Sequence, residues 1–190
     1  QHYPALAQRS HIVFNGVDTD VWAPAPEKRP EIVYVGRARQ DKGILPLVDA
    51  YKALAPAGWT LKLVLGVQTD AEAAFAAKVD ALCVDSTGIE VLRNEQSTAV
   101  QRHLAEASVA ALPSIVREGF PRAVVEAMAS GCATLATRQG GTPEAAGDAA
   151  ILLDDPQAAD FEIRLQGALA GLIADERQRK ALSIAARKRI

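Results

Sequence analysis

Six short apolar runs alternating with helical stretches constrain this chain more than any other feature. The runs fall at residues 31–35, 60–65, 88–92, 107–112, 132–136 and 149–153, and each is five or six residues long. They are apolar with little alternation, the pattern of strands buried on both faces. Between them lie stretches with helical character. Residues 44–55 place Leu47, Val48, Tyr51 and Leu54 at helical spacing, residues 70–82 are alanine-rich with Asp70 as the expected cap, and a helix is expected over 97–105. Two amphipathic helices, 161–173 and 176–190, close the chain. Strands alternating with helices predict an α/β fold: a parallel sheet of about six strands, helices on both faces and right-handed crossovers. Ligands of such sheets lie beyond the carboxyl ends of the strands, so the loops leaving each apolar run hold the residues of interest.

A length of 190 residues suits one domain, or one with a small appendage. Residues 1–30 carry Pro4, Pro24, Pro26 and Pro30 around one short apolar run and read as an inter-domain linker, leaving 31–190 as the folded domain. Because the chain opens at Gln1 and its single methionine is Met128, it is expected to be a piece of a longer protein. The net charge of -2 argues against nucleic acid as the main partner. Cys83 and Cys132 lack metal-ligand spacing and are expected as reduced core cysteines, which fits a cytoplasmic location. No apolar run approaches the ~20 residues of a membrane span, although peripheral contact with a membrane stays open.

The segment from Glu118 to Gly131 concentrates the chemistry. Its middle is expected as a helix that opens at Pro121, in the first helical turn, and stops at Gly131. Glu126 stands in an otherwise apolar run and is read as having no basic residue one turn away, so it should face a cleft holding something polar. Glu118 lies on the turn that feeds the helix, beside Gly119, Phe120 and Pro121, where backbone N–H groups and the helix dipole favour an anion. After the first strand, Gly36-Arg37 and, five residues on, Lys42-Gly43 place a forked cation and a point cation on one loop, suited to a diphosphate. Arg93, after the third strand, either stacks on a base, meets a phosphate or is simply exposed. Gly140-Gly141-Thr142-Pro143-Glu144 is a tight turn, read as a close approach to ligand or as purely conformational.

Two glutamates, Glu118 and Glu126, with seven residues between them around a Gly-Phe-Pro turn, followed by Ala-Met-Ala-Ser-Gly, resemble the signature of the retaining glycosyltransferase family 4. The Gly-Arg and Lys-Gly pairs of the first loop, the Gly-Gly-x-Pro-Glu turn and the connection at residues 13–18 are similar to that family too. The resemblance covers nearly the whole chain, residues 12–188. It implies a Rossmann-like sheet forming the nucleotide-sugar-binding, C-terminal half of a two-domain GT-B enzyme whose N-terminal acceptor domain is absent from this chain. By that resemblance Glu118 and the adjoining Gly119, Phe120 and Pro121 hold donor-sugar hydroxyls, Glu126 accepts from the ribose, and Gly36, Arg37 and Lys42 hold the diphosphate. Arg37, Lys42 and Glu118 are then the residues serving transfer. The donor implied is a nucleoside diphosphate sugar, UDP first, then GDP or ADP, with no cofactor. The acceptor is a glycan, a lipid or a small molecule, and a fragment without the acceptor domain transfers little. A non-catalytic nucleotide-binding or interaction module of the same fold is the alternative.

Other chemistries find less support. Asp18-Thr19-Asp20 spells a DxD, the metal-binding triplet of glycosyltransferases of another fold, but no further ligands accompany it and no metal is expected. Neither Lys42 nor Lys62 sits in a pyridoxal phosphate pattern, and Gly36-Arg-Ala-Arg-Gln-Asp breaks the glycine fingerprint of a dinucleotide oxidoreductase. His103 is expected at the surface or in packing, and His2 and His11 carry no discernible chemistry.

Overall fold

A computed structural model describes residues 15–190; His2 and His11 lie outside the described residues. Six strands form one sheet: β1 (Arg29–Arg37), β2 (Thr60–Gly66), β3 (Ile89–Arg93), β4 (Ala107–Leu112), β5 (Ala133–Thr137) and β6 (Ile151–Leu153). Every neighbouring pair is parallel, and the order is β3-β2-β1-β4-β5-β6. The expected α/β architecture is the one observed. β1 begins two residues before the expected run, because Arg29 already pairs with Ala107 of β4.

The helices are α1 (Ile44–Leu54), α2 (Asp70–Cys83), α3 (Ser97–Glu106), α4 (Arg122–Ala129), α5 (Thr142–Ala146), α6 (Phe161–Ala174) and α7 (Glu176–Arg189). Right-handed crossovers put α1 and α2 on one face and α3 and α4 on the other. The two C-terminal helices complete these layers, α6 against α1 and α7 against α4 and β5. Between the layers Ile32, Leu47, Leu61, Leu63, Leu135 and Leu165 are fully buried. Cys83 and Cys132 are free and buried in the same core, and burial pushes both thiols up, Cys132 to about 11. Among the described residues no helix is long and apolar enough to cross a membrane.

Sheet order reverses direction between β1 and β4. Their connections therefore leave on opposite faces and open a crevice, the place where sheets of this kind bind ligands.

α4, the helix that starts at this crevice, is tied down at its other end. Gly131 takes a left-handed conformation (φ 71°), Cys132 N–H donates to Ala127 O and Gly131 N–H to Met128 O, a pairing that ends the helix and satisfies its last carbonyls. Two cations take what remains. Lys28 Nζ donates to Ser130 O at 2.7 Å, and Arg187 donates to Ala129 O, Trp22 O and Thr19 O at 2.8, 3.1 and 2.8 Å. Cations at a helix C-terminus match its dipole, and burial lowers the Lys28 pKa, as expected for an ammonium withdrawn from water. α7 thus clamps the segment before β1 onto the end of α4.

Candidate functional site at the sheet crevice

Three loops meet beyond the carboxyl ends of β1, β4 and β5, and backbone contacts interlock them. Gly43 has φ 71°, and a Cβ there would lie 2.0 Å from Pro113 O. Ile115 and Val116 N–H both donate to Asp41 O, at 2.8 and 3.2 Å, so the loop after β1 and the loop after β4 hold each other. The third loop supplies the Gly-Gly turn. A Cβ on Gly140 would meet Glu118 O at 1.9 Å and one on Gly141 would meet Gly119 O at 2.1 Å, while Gly141 N–H donates to Glu118 O at 2.9 Å. The close approach that these glycines permit is therefore to the backbone of the Glu118 turn.

The interlock fixes the charged side chains. Glu118 forms an ion pair with Lys42 and accepts from Ser114 Oγ at 2.9 Å, with Thr137 Oγ1 donating to Ser114 O behind it. Arg37 at the end of β1 reaches Glu72 of α2, with Nε and an Nη nitrogen both on Oε1 at 2.7 and 2.6 Å. The other Glu72 oxygen accepts from Gln68 and Thr69 N–H, and Thr69 Oγ1 accepts from Glu72 N–H, closing a capping box. Thr69, not Asp70, caps α2. The Arg37 guanidinium, then the Gln68 N–H, hold the Glu72 carboxyl down at about 2. Arg37 is consequently a cation in a set position.

Pro121 differs from expectation by one residue. It sits before the helix with extended backbone (φ -81°, ψ 94°) and is the cap; Arg122 is the first helical residue. The N–H groups of Arg122 and Ala123 then fall outside the ladder of the helix itself. The expectation that Glu126 has no basic residue one turn away is wrong, since Arg122 precedes it by four residues and donates to Oε1 at 2.9 Å. The inference drawn from it still holds in part. The Glu126 side chain is 12% exposed and Arg122 is 78% exposed, and burial raises the Glu126 pKa despite the arginine.

A cavity of about 270 Å³ bordered by Gly36, Arg37, Lys42, Glu118 and Pro121 adjoins a wider groove of about 750 Å³ bordered by Gly66, Asn94, Glu95 and Glu126. Val35, Gly36, Arg37, Arg122 and Ala123 border both, so the two form one cleft. Phe120 borders a smaller cavity of about 170 Å³ next to it. Gly119 contributes its carbonyl to the interlock and lines none of the three. Arg93 is turned away, its guanidinium on Asp80 of α2; the next residues, Asn94 and Glu95, face the groove. Asn94 takes φ 50° and its Oδ1 accepts from Val67 N–H at 2.7 Å, joining the loops after β2 and β3. His103 is buried behind Glu95 at 3.9 Å, its pKa lowered chiefly by burial. Asp18 of the DxD is spent on a turn, accepting from Asp20 and Val21 N–H.

Sequence reading missed Glu72, Ser114 and Arg122. Thr69-x-x-Glu72 carries the capping-box spacing and Arg122 the i, i+4 spacing, both visible in the sequence. The Arg37–Glu72 pairing spans 35 residues and Ser114–Glu118 depends on a turn, so neither had a local signal.

A six-stranded parallel sheet whose loops build such a cleft defines a Rossmann-like ligand-binding domain. Residues 20–189 match the family of glycosyl transferases group 1, and the chain belongs to it. It is 32% identical to the alpha-maltose-1-phosphate synthase of Mycolicibacterium smegmatis over 98% of this chain and 54% of that protein. The chain thus spans about half the length of that relative. Among solved structures, the C-terminal domain of the group 1 glycosyl transferase LpcC from Francisella tularensis superposes with a TM-score of 0.75 at 25% identity, covering 92% of this chain and 96% of that one. Anabaena Alr3699/HepE, solved with UDP and glucose, superposes with a TM-score of 0.80 at 19% identity over 96% of this chain and 52% of that one, a likeness of fold.

Gly141→Ala keeps an allowed backbone (φ -85°) but forces the Glu118 turn to move. It is expected to cost about 1–3 kcal/mol in chemical denaturation, the usual penalty of overpacking. Glu72→Gln has a pH signature. A carboxyl held at about 2 in the folded state against an ordinary 4.5 contributes stability that is present above 4.5 and lost as pH falls toward 2. The melting temperature of the variant should therefore lie below that of the parent at pH 6 and converge on it as pH approaches 2.

Proposed function

We propose that this chain is the donor-binding domain of a retaining glycosyltransferase, which moves a sugar from a nucleoside diphosphate sugar to an acceptor hydroxyl. The observation that carries this reading is the convergence of Arg37, Lys42, Glu118, Glu126 and the start of α4 on one cleft at the sheet crevice. The relative from M. smegmatis is named a synthase of a sugar phosphate, and the HepE structure holds UDP and glucose. Both agree with a sugar-nucleotide substrate, with UDP as the first base to test.

The difficult step of such a transfer is the charge that develops on the departing diphosphate. Arg37 and Lys42, with the N–H groups at the start of α4, are donors already in position for it, so little reorganisation accompanies the reaction. Arg37 is held through Nε and one Nη nitrogen by Glu72, which borders neither cavity, and this leaves the other Nη nitrogen for a phosphate oxygen. Lys42 bridges the diphosphate position to Glu118, and Glu118, accepting from Ser114, is suited to orient sugar hydroxyls rather than to attack carbon. Glu126 faces the groove as an acceptor for ribose hydroxyls. The acceptor and the group managing its proton belong to a further domain in this reading, the N-terminal half of a GT-B protein, with residues 1–30 as the connection. The isolated chain accordingly binds donor and transfers little.

Calorimetric titration with UDP, GDP, ADP and their sugar conjugates tests the reading. One nucleotide is expected to bind, and Lys42→Ala to weaken it by about 1.5–3 kcal/mol, the loss of a charged hydrogen bond. Absence of binding at millimolar concentration by this chain and by the full-length protein overturns the proposal.

A further inference from the structure

Arg122 is in excess of what the fold requires. Its guanidinium contacts Glu126 at 2.9 Å, and at 78% side-chain exposure solvent screens the cation, so the contact adds little to stability. Burial meanwhile works against the charge on Glu126, which the arginine offsets only in part. The pair is therefore lopsided: a carboxylate largely withdrawn from water, tethered to a cation that remains in it.

Its place in the cleft is as telling as its exposure. Among the described residues, Arg122 is the cation that borders all three cavities: the one with Lys42 and Glu118, the groove with Asn94 and Glu126, and the smaller one with Asp18 and Trp22. It shares with Arg37 the boundary between the first two. The other cleft cations are anchored, Arg37 by a capping-box glutamate and Lys42, at 18% exposure, by Glu118. Arg122 is held by one contact on its own helix and is free to rotate about its long stem. A ligand lying across the boundary with two adjacent negative charges would come within its reach, and a planar guanidinium can bind phosphate oxygens in a fork.

Resting on the donor-binding reading above, we propose that Arg122 is a third ligand for the donor diphosphate, and that donor binding draws it from Glu126 and releases that carboxylate to the ribose hydroxyls. Phosphate and ribose recognition are then coupled through one ion pair. A free nucleoside, having no phosphate, leaves the pair intact and gains nothing from Arg122.

The test compares Arg122→Gln and Arg122→Lys with the parent chain, titrating the nucleoside diphosphate that binds best and the matching nucleoside. Arg122→Gln should weaken the diphosphate about 10- to 100-fold, leave the nucleoside bound no more weakly because Glu126 is then unpaired, and flatten the salt dependence of diphosphate binding. Arg122→Lys, which keeps the charge but not the fork, should recover part of the loss. Unchanged diphosphate affinity in Arg122→Gln overturns the proposal, as does an equal loss for diphosphate and nucleoside, which would mean that Arg122 acts only by holding Glu126. If the parent chain binds nucleosides but shows no gain from the diphosphate, the phosphate-binding cleft itself fails and this proposal fails with it. Matched unfolding curves for the three proteins establish that the comparison concerns folded material.

Discussion

The arrangement depends on backbone touching backbone. Gly43 lies against Pro113, and Gly140 and Gly141 lie against Glu118 and Gly119, at separations that leave no room for a Cβ. Side-chain packing could not set the loops this close, and without closeness Lys42 could not reach Glu118, whose partner loop lies 76 residues away in sequence. The parallel sheet brings the three loops to one edge, but the glycines convert that proximity into fixed geometry. A site built this way has its charges positioned before any ligand arrives.

Electrostatics add a second layer. Each cation of the cleft has a carboxylate partner: Arg37 with Glu72, Lys42 with Glu118 and Arg122 with Glu126. Paired in this way, the cleft holds both the donors that a diphosphate needs and the acceptors that a polyol needs without the cost of burying isolated charge. The opposite end of α4 completes the scheme, with Lys28 and Arg187 on its last carbonyls. Neutralising the C-terminal end leaves the N-terminal end of the helix directed at the crevice as a fixed positive pole. Arg187 also binds Thr19 and Trp22, so the segment before β1 and the C-terminal end of α4 are registered through the same helix.

Much of this was legible in the sequence, and the failures have physical causes. The strand runs and helices were readable because buried parallel strands are continuous apolar stretches and the helices between them carry their own periodicity. Boundaries moved by a residue or two where the local signal was ambiguous: Pro121 suits a cap as well as a first turn, and Asp70 competes with Thr69 as a cap until Glu72 completes the box. The Gly-Gly turn was visible, but not what it touches, because its contact lies on a loop more than 20 residues earlier. Arg93 read as a ligand candidate by its place after the third apolar run; in the structure it is the last residue of β3 and its guanidinium pairs with Asp80 of α2 instead. Arg122 was overlooked although its spacing to Glu126 is the simplest helical signal in the chain.

The central claim is that the crevice between β1 and β4 receives a sugar nucleotide. Backbone amide shifts followed by NMR during titration with UDP-glucose, and then with the GDP and ADP sugars, test it most directly. The account predicts shifts concentrated in residues 36–43, 94–97 and 118–126 for one of these donors. Shifts confined to the cavity around Tyr51, Trp59 and Asp85, at the other end of the sheet, or none with any donor, would contradict it.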